Sequence, residues 1–373
     1  MQKKKFKLAF LGGGLNSTIG NIHNLASKLD SRWNLVSGFF SRNRHINYKT
    51  AKTYGIDLDR THNSLGDFIK NEKDKVDAVA VLVPTPDRYK YISKLLKFNI
   101  PIISEKPLVD NSKDCIKLKK SLKKKNFLRV SYNYLGYPLI RELRCLISKN
   151  FFGKIKQIHF EMPQDAFTFS TSKKINPKKW RLKDKYIPNI SHDLGSHLIA
   201  ITSYLLAEYP ANVMCKYFQS SNFKSLIDNG YFWVKFKSNI KGTYWISKST
   251  PGIRNGLRLR IFGEKKGAEW LQTKPEEIFI YNETGSVEKI DNMTFKLESY
   301  KKKYNRYKVG HPTGFVEAFA NMYNDYADQL ELFNRSKKNK DKNIQFDIDN
   351  SINISKFFDA ASKSNIEKKW IKI

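Results

Sequence analysis

The stretch Lys7-Leu8-Ala9-Phe10-Leu11-Gly12-Gly13-Gly14-Leu15-Asn16-Ser17-Thr18-Ile19-Gly20 decides how this chain folds. Lys7–Leu11 reads as a strand, the three glycines end it, and Ile19–Leu29 reads as a helix. Strand, glycine cluster and helix in that order build a seat for a dinucleotide pyrophosphate. Glycine allows a tight turn and close backbone approach, and the helix start presents N–H groups with favourable dipole charge. Ser17 or Thr18 is expected to cap that helix. The common G-x-G-x-x-G spacing needs glycine at position 17, where Ser17 stands, so the loop to Gly20 is longer than usual.

Outward from this stretch, strands and helices alternate. Trp33–Phe40 reads as a strand, and Val76–Val83 is an almost unbroken apolar run of the kind buried on both sheet faces. Arg88–Phe98 reads as helix, Ile100–Ser104 as strand, Ser112–Lys125 as helix and Leu128–Ser131 as strand. The expectation is an α/β domain over residues 1–130 with a doubly wound parallel sheet, a Rossmann domain that binds NAD(P). The second strand ends without a carboxylate to accept the ribose hydroxyls; Ser41 and Arg42 stand there and suit a 2′-phosphate, which predicts a slight preference for NADP over NAD.

The pattern changes in residues 131–373. Lys154–Met162, Ala211–Phe218, Tyr231–Phe236, Gly242–Ser247, Leu257–Phe262 and Ala268–Gln272 read as successive strands of a large, mostly antiparallel open sheet. With helices at Asp193–Leu206 and Thr313–Leu332, this second domain is α+β; a last helix, about 350–365, is expected to pack back on the first domain.

The chain has 373 residues, consistent with two domains at roughly 150 residues each. A hydrophobic share of 40% excludes a disordered chain. No apolar run reaches the roughly 18 residues of a membrane span, and Gly12–Gly14 ends the first one too early for a signal peptide. Lys+Arg 68 against Asp+Glu 35 gives +33. That charge is mostly lysine spread along the chain, so a solvated surface is expected rather than a nucleic-acid or membrane partner. The three cysteines, Cys115, Cys145 and Cys215, lack metal or disulfide spacing; no metal is expected, and the cytoplasm is the expected compartment.

Further motifs recur in order. Val83-Pro84-Thr85-Pro86-Asp87 follows the buried strand, Ser104-Glu105-Lys106-Pro107-Leu108 follows the next, and His192-Asp193-Leu194-Gly195-Ser196-His197 opens a helix. With the glycine loop these resemble the glucose–fructose oxidoreductase / inositol dehydrogenase family (Gfo/Idh/MocA), over almost the whole chain. Ile19–His23, Asn133–Pro138, Gly256–Glu264 and Gly310–Phe315 look like one subgroup, associated with dehydrogenation of sugars and sugar-like rings. The resemblance implies cofactor contacts from Gly12, Gly13, Gly14, Ser17, Thr18, Ile19, Ser41, Arg42, Pro84, Thr85, Pro86, Glu105 and Lys106. It carries Lys106 to the nicotinamide and the substrate, puts Asp193 and His197 across the same cleft, and implies a homo-oligomer, dimer or tetramer, formed through the C-terminal sheet. Two positions depart from the family pattern: Asp87 stands where Asn is common and Lys90 where His is frequent.

The chemistry agrees. Oxidising a carbinol removes a hydride from carbon and a proton from oxygen, and the protein must accept the second. An unperturbed imidazole has a pKa near roughly 6.5, which suits His197 to trading a proton near neutrality. Asp193, four residues earlier, shares its helix face and positions the hydroxyl or the imidazole. The Lys106 ammonium stabilises a developing alkoxide. Tyr132, Asn133, Tyr134, Trp180, Arg181, His192 and His311 are candidate substrate contacts, with packing as their plainer role. The expected activity is hydride transfer between nicotinamide and a ring carbinol or ketone of a sugar, polyol or glycoside. The alternatives are a reductase or dehydrogenase of a nucleotide-linked sugar, and a non-catalytic dinucleotide-binding sensor on the same fold.

Overall fold

The computed structural model describes residues 4–168, 183–223, 225–294, 298–308, 310–336 and 346–373. The chain divides into two compact units: Met1–Gly136 with Gly314–Ile352, and Tyr137–Thr313 with Asn353–Ile373.

In the first unit, β1 (Phe6–Gly12), β2 (Trp33–Phe39), β3 (Ala78–Leu82), β4 (Ile102–Glu105) and β5 (Leu128–Ser131) form a parallel sheet in the order β2-β1-β3-β4-β5. The chain passes from β1 outward to β2 and then returns to β3 on the other side. The point where that direction reverses is where doubly wound sheets take their ligands. Helices α1 (Gly20–Leu29), α2 (Arg44–Tyr54), α3 (Leu65–Glu72), α4 (Thr85–Lys97) and α5 (Ser112–Ser121) connect the strands. Periodicity does not reveal α2, because the face it buries is Asn47, Thr50, Ala51 and Tyr54, largely polar. Its Asn43 cap and Gly55, in the left-handed region, are what delimit it.

The helix Phe315–Asn334 (α8 in chain order) belongs to this first unit, not to the region after residue 130. Specific polar contacts hold it there. Trp33 Nε1 donates to the Tyr323 carbonyl at 2.8 Å, Tyr326 Oη to the Val130 carbonyl at 3.2 Å, and Asn321 Nδ2 to the Gly136 carbonyl at 2.8 Å. A Cβ on Gly136 would lie 1.9 Å from the Ala318 carbonyl oxygen, so only glycine lets the turn after β5 approach this helix.

In the second unit, among the described residues, nine strands order as β13-β12-β11-β10-β6-β9-β8-β7-β14. They are β6 (Ile155–Pro163), β7 (Asn212–Phe218), β8 (Asn229–Lys235), β9 (Lys241–Ser247), β10 (Arg258–Gly263), β11 (Lys266–Leu271), β12 (Ile278–Asn282), β13 (Val287–Ile290) and β14 (Ile371–Lys372). Only the central β6–β9 pair is parallel; every other pairing is antiparallel. Helices α6 (Pro138–Ser148), α7 (Ser196–Leu206) and most of α9 (Ile348–Glu367) belong here. Residues 353–367 therefore group with this unit and not, as the sequence suggested, with the first. Phe357 and Phe358 pack on Phe232, with ring centroids 5.9 and 6.2 Å away, and Ser364 Oγ accepts from Cys215 N at 3.0 Å. The other sheet face leaves Tyr231 and Trp233 exposed. No helix among the described residues is long and apolar enough to cross a membrane.

Candidate active site

The glycine loop follows β1 directly. Gly12 has φ +86°, and a Cβ there would lie 2.7 Å from the Leu82 backbone. At Gly20 a Cβ would lie 2.0 Å from the Gly13 carbonyl oxygen, so the start of α1 packs flush on the loop. Bare backbone at the mouth of a helix is the surface a pyrophosphate needs, and these residues fit that group. Ser17 Oγ accepts from Ile19 N at 3.4 Å and Gly20 N at 3.3 Å, while Thr18 is exposed. Two residues of α2, unread in the sequence, brace the loop: Thr50 Oγ1 accepts from Leu15 N at 3.0 Å, and Tyr54 Oη donates to the Gly13 carbonyl at 3.1 Å. Burial pushes the Tyr54 hydroxyl up to about 12, which keeps it a donor at neutral pH.

At the end of β2, Ser41 Oγ accepts from Asn43 N at 3.1 Å, and Arg42 is exposed. Pro84, Thr85 and Pro86 start α4, earlier than the helix expected at Arg88. Proline in the first turn has no N–H to lose, which is why the helix extends through Pro86.

Lys106 leaves the carboxyl end of β4 and precedes a cis bond to Pro107. Its mounting is buried. Glu105 Oε1 lies 3.0 Å from His23 Nε2, and Glu105 Oε2 accepts from Lys106 N at 3.1 Å. His23 Nδ1 in turn lies 2.8 Å from Tyr323 Oη. Burial alone would raise the Glu105 carboxyl, but the His23 hydrogen bond and the charges of His23, Arg88 and Lys106 outweigh it and lower it. Arg88, also buried, donates from Nε to the Val83 carbonyl at 3.0 Å and from Nη1 to the Pro107 carbonyl. Sequence reasoning missed Arg88 and His23 in this role; Arg88 is a charged residue on the mostly apolar buried face of α4, whereas the face that α1 buries around His23 is itself largely polar and carries no such signal. Tyr132 and Tyr134 are buried, their rings on Phe346 at 5.2 Å and Phe315 at 6.4 Å, and Asn133 is buried beside them.

In the second unit the His-Asp-Leu-Gly-Ser-His motif does not form one regular helix. Ser191–Gly195 makes a wider π turn, with Ser196 N bonded back to the Ser191 carbonyl, and α7 follows. Such turns occur often at functional sites. Asp193 sits in that turn, half-buried, and pairs with Lys248 Nζ; His197 lies in the first turn of α7, buried. Lys248, directly after β9, is itself fixed. Its N–H donates to the Asp228 carbonyl at 2.9 Å, its carbonyl accepts from Phe167 N at 2.6 Å, and its ammonium lies 5.1 Å from the Phe167 ring centre. Nothing in the sequence marks it among so many lysines. His192 is half-buried and His311 exposed. Trp180 and Arg181 lie outside the described residues. Among the described residues no three His, Cys, Asp or Glu side chains cluster as a metal site.

A parallel doubly wound sheet with a glycine cradle at its reversal point, joined to a unit with a large open sheet, defines an oxidoreductase with an NAD-binding Rossmann domain. Comparison with known proteins agrees: residues 6–134 match "Oxidoreductase family, NAD-binding Rossmann fold" and residues 140–269 match "GFO/IDH/MocA C-terminal domain". The chain belongs to the Gfo/Idh/MocA oxidoreductase family. It is 24% identical over 363 residues to the uncharacterized oxidoreductase YfiI of Bacillus subtilis, covering 94% of this chain and 92% of that one. Its fold is similar to an inositol dehydrogenase homolog from Azotobacter vinelandii complexed with NAD+ (TM-score 0.91, 22% identity, 99% and 98% covered). It is also similar to an oxidoreductase from Sinorhizobium meliloti (TM-score 0.86, 25% identity, 99% and 100% covered).

Proposed function

We propose that this oxidoreductase transfers a hydride between a nicotinamide dinucleotide and a ring carbinol or ketone of a sugar, polyol or glycoside. The observation that carries the reading is the mounting of Lys106: a lysine at the carboxyl edge of the parallel sheet, its neighbours Glu105 and Pro107 held by buried His23 and Arg88. A solvated surface lysine has no use for such support. The structural relative solved with NAD+ is named an inositol dehydrogenase homolog, which agrees with a cyclic polyol as substrate class.

With its pyrophosphate on the glycine cradle, a bound nicotinamide dinucleotide would supply the hydride acceptor or donor. The protein's part is the proton and the charge on oxygen. Lys106 stabilises the developing alkoxide, His197 takes or returns the proton, and Asp193, held by Lys248, positions the hydroxyl. Of the two cofactors NADP is slightly favoured, because Arg42 stands at the end of β2 and no carboxylate does. The compartment is cytoplasmic. Copies of the chain meet through the open sheet face, where Tyr231 and Trp233 are exposed beside Arg258 and Glu161 of both charge signs.

The test is Lys106→Ala with a panel of polyols and keto-sugars. Turnover is expected to vanish while NADH binding, followed by fluorescence, persists. Normal turnover in that variant would remove the proposed roles.

A further inference from the structure

The strand order sets β2 and β3 on either side of β1, so the segments leaving their carboxyl ends flank the glycine loop. Arg42 leaves β2; Asp87 lies in the first turn of α4, just after β3. Arg42 Nη2 and Asp87 Oδ2 are 3.5 Å apart, so an ion pair bridges the two flanks at the reversal point of the sheet. Tyr91, one turn along α4, feels both: burial and the Asp87 charge raise its hydroxyl, and Arg42 opposes them.

We infer that Asp87 sets the choice between the two nicotinamide dinucleotides by competing with a 2′-phosphate for Arg42. The inference rests on the proposed binding of such a cofactor by this unit. A guanidinium recognises carboxylate and phosphate with the same fork of donors, so the two anions are alternatives for one cation. A 2′-phosphate must either displace Asp87 or accept its charge nearby. Neutral ribose hydroxyls meet neither cost and can donate to the Asp87 carboxylate. Asp87 thus moderates the preference for a 2′-phosphate that Arg42 gives. Both side chains are open to solvent, 78% for Arg42 and 37% for Asp87, so the pair itself is weak and the discrimination moderate.

Asp87 also has a local role, since a negative charge in the first turn favours a helix. That role predicts a change in thermal stability and no change in cofactor ratio. The experiment measures Kd for NADPH and NADH by fluorescence titration on wild type, Asp87→Asn, Arg42→Ala and the double variant, with Tm recorded for each. Asp87→Asn is expected to tighten NADPH about fivefold, as one screened charge removed at short range allows, while NADH, which loses a carboxylate acceptor, binds no more tightly than to wild type. The gain should disappear when Arg42 is alanine, and shrink as salt is raised. An unchanged NADPH-to-NADH ratio in Asp87→Asn overturns the inference, as does a gain that survives the loss of Arg42. Failure of wild type to bind either dinucleotide overturns the cofactor reading instead.

Discussion

His23 Nε2 lies 3.0 Å from Glu105 Oε1 in the core of the first unit, joining the helix after the glycine loop to the strand end that carries Lys106. One buried pair thus ties the cofactor cradle to the proposed electrophile. Removing one partner of such a pair costs about 3–5 kcal/mol, because the other is left buried and uncompensated. His23→Ala is therefore expected to lower Tm strongly, and denaturant unfolding will show whether it does.

The same pair makes stability depend on pH. The Glu105 carboxyl titrates lower folded than unfolded, so its contribution is complete above the usual carboxylate range and is lost as pH falls toward its folded value. Acid unfolding followed by circular dichroism should begin near that range. Glu105→Gln should flatten the stability profile there while lowering stability at neutral pH.

Lys248 and Asp193 form the corresponding relationship in the second unit. Lys248→Met removes the ammonium and keeps the aliphatic stem. A fall in kcat of about tenfold is expected, equivalent to about 1.4 kcal/mol, with the Kd for NADH unchanged. A loss confined to cofactor binding would contradict a role for Lys248 through Asp193.

At the glycine loop, Gly12→Ala places a Cβ against the Leu82 backbone at a left-handed φ. Strain of about 1–3 kcal/mol is expected, with loss of dinucleotide binding beyond what reduced stability explains. Titration below the variant's Tm separates the two.

Trp233→Glu on the exposed face of β8 puts a charge where copies are proposed to meet. Sedimentation velocity should show a smaller species with an unchanged circular dichroism spectrum. An unaltered sedimentation coefficient would place the contact elsewhere.

Much of this protein was readable before its coordinates. Burial on both faces makes parallel strands continuous apolar runs, and the glycines were marked by a conformation other residues rarely adopt, so β1 to β5 and the cradle declared themselves locally. Helix α2 did not, because what it buries is polar and bonded to distant backbone. Edge strand β13 did not either, since only its Ile290 is buried. Which unit holds α8, how the motif at Ser191–Gly195 widens into a π turn, and which of the many lysines meets Asp193 were decided only by tertiary packing. Periodicity reports a residue's own burial. It carries no information about which partner, scores or hundreds of residues away, arrives to satisfy a buried charge.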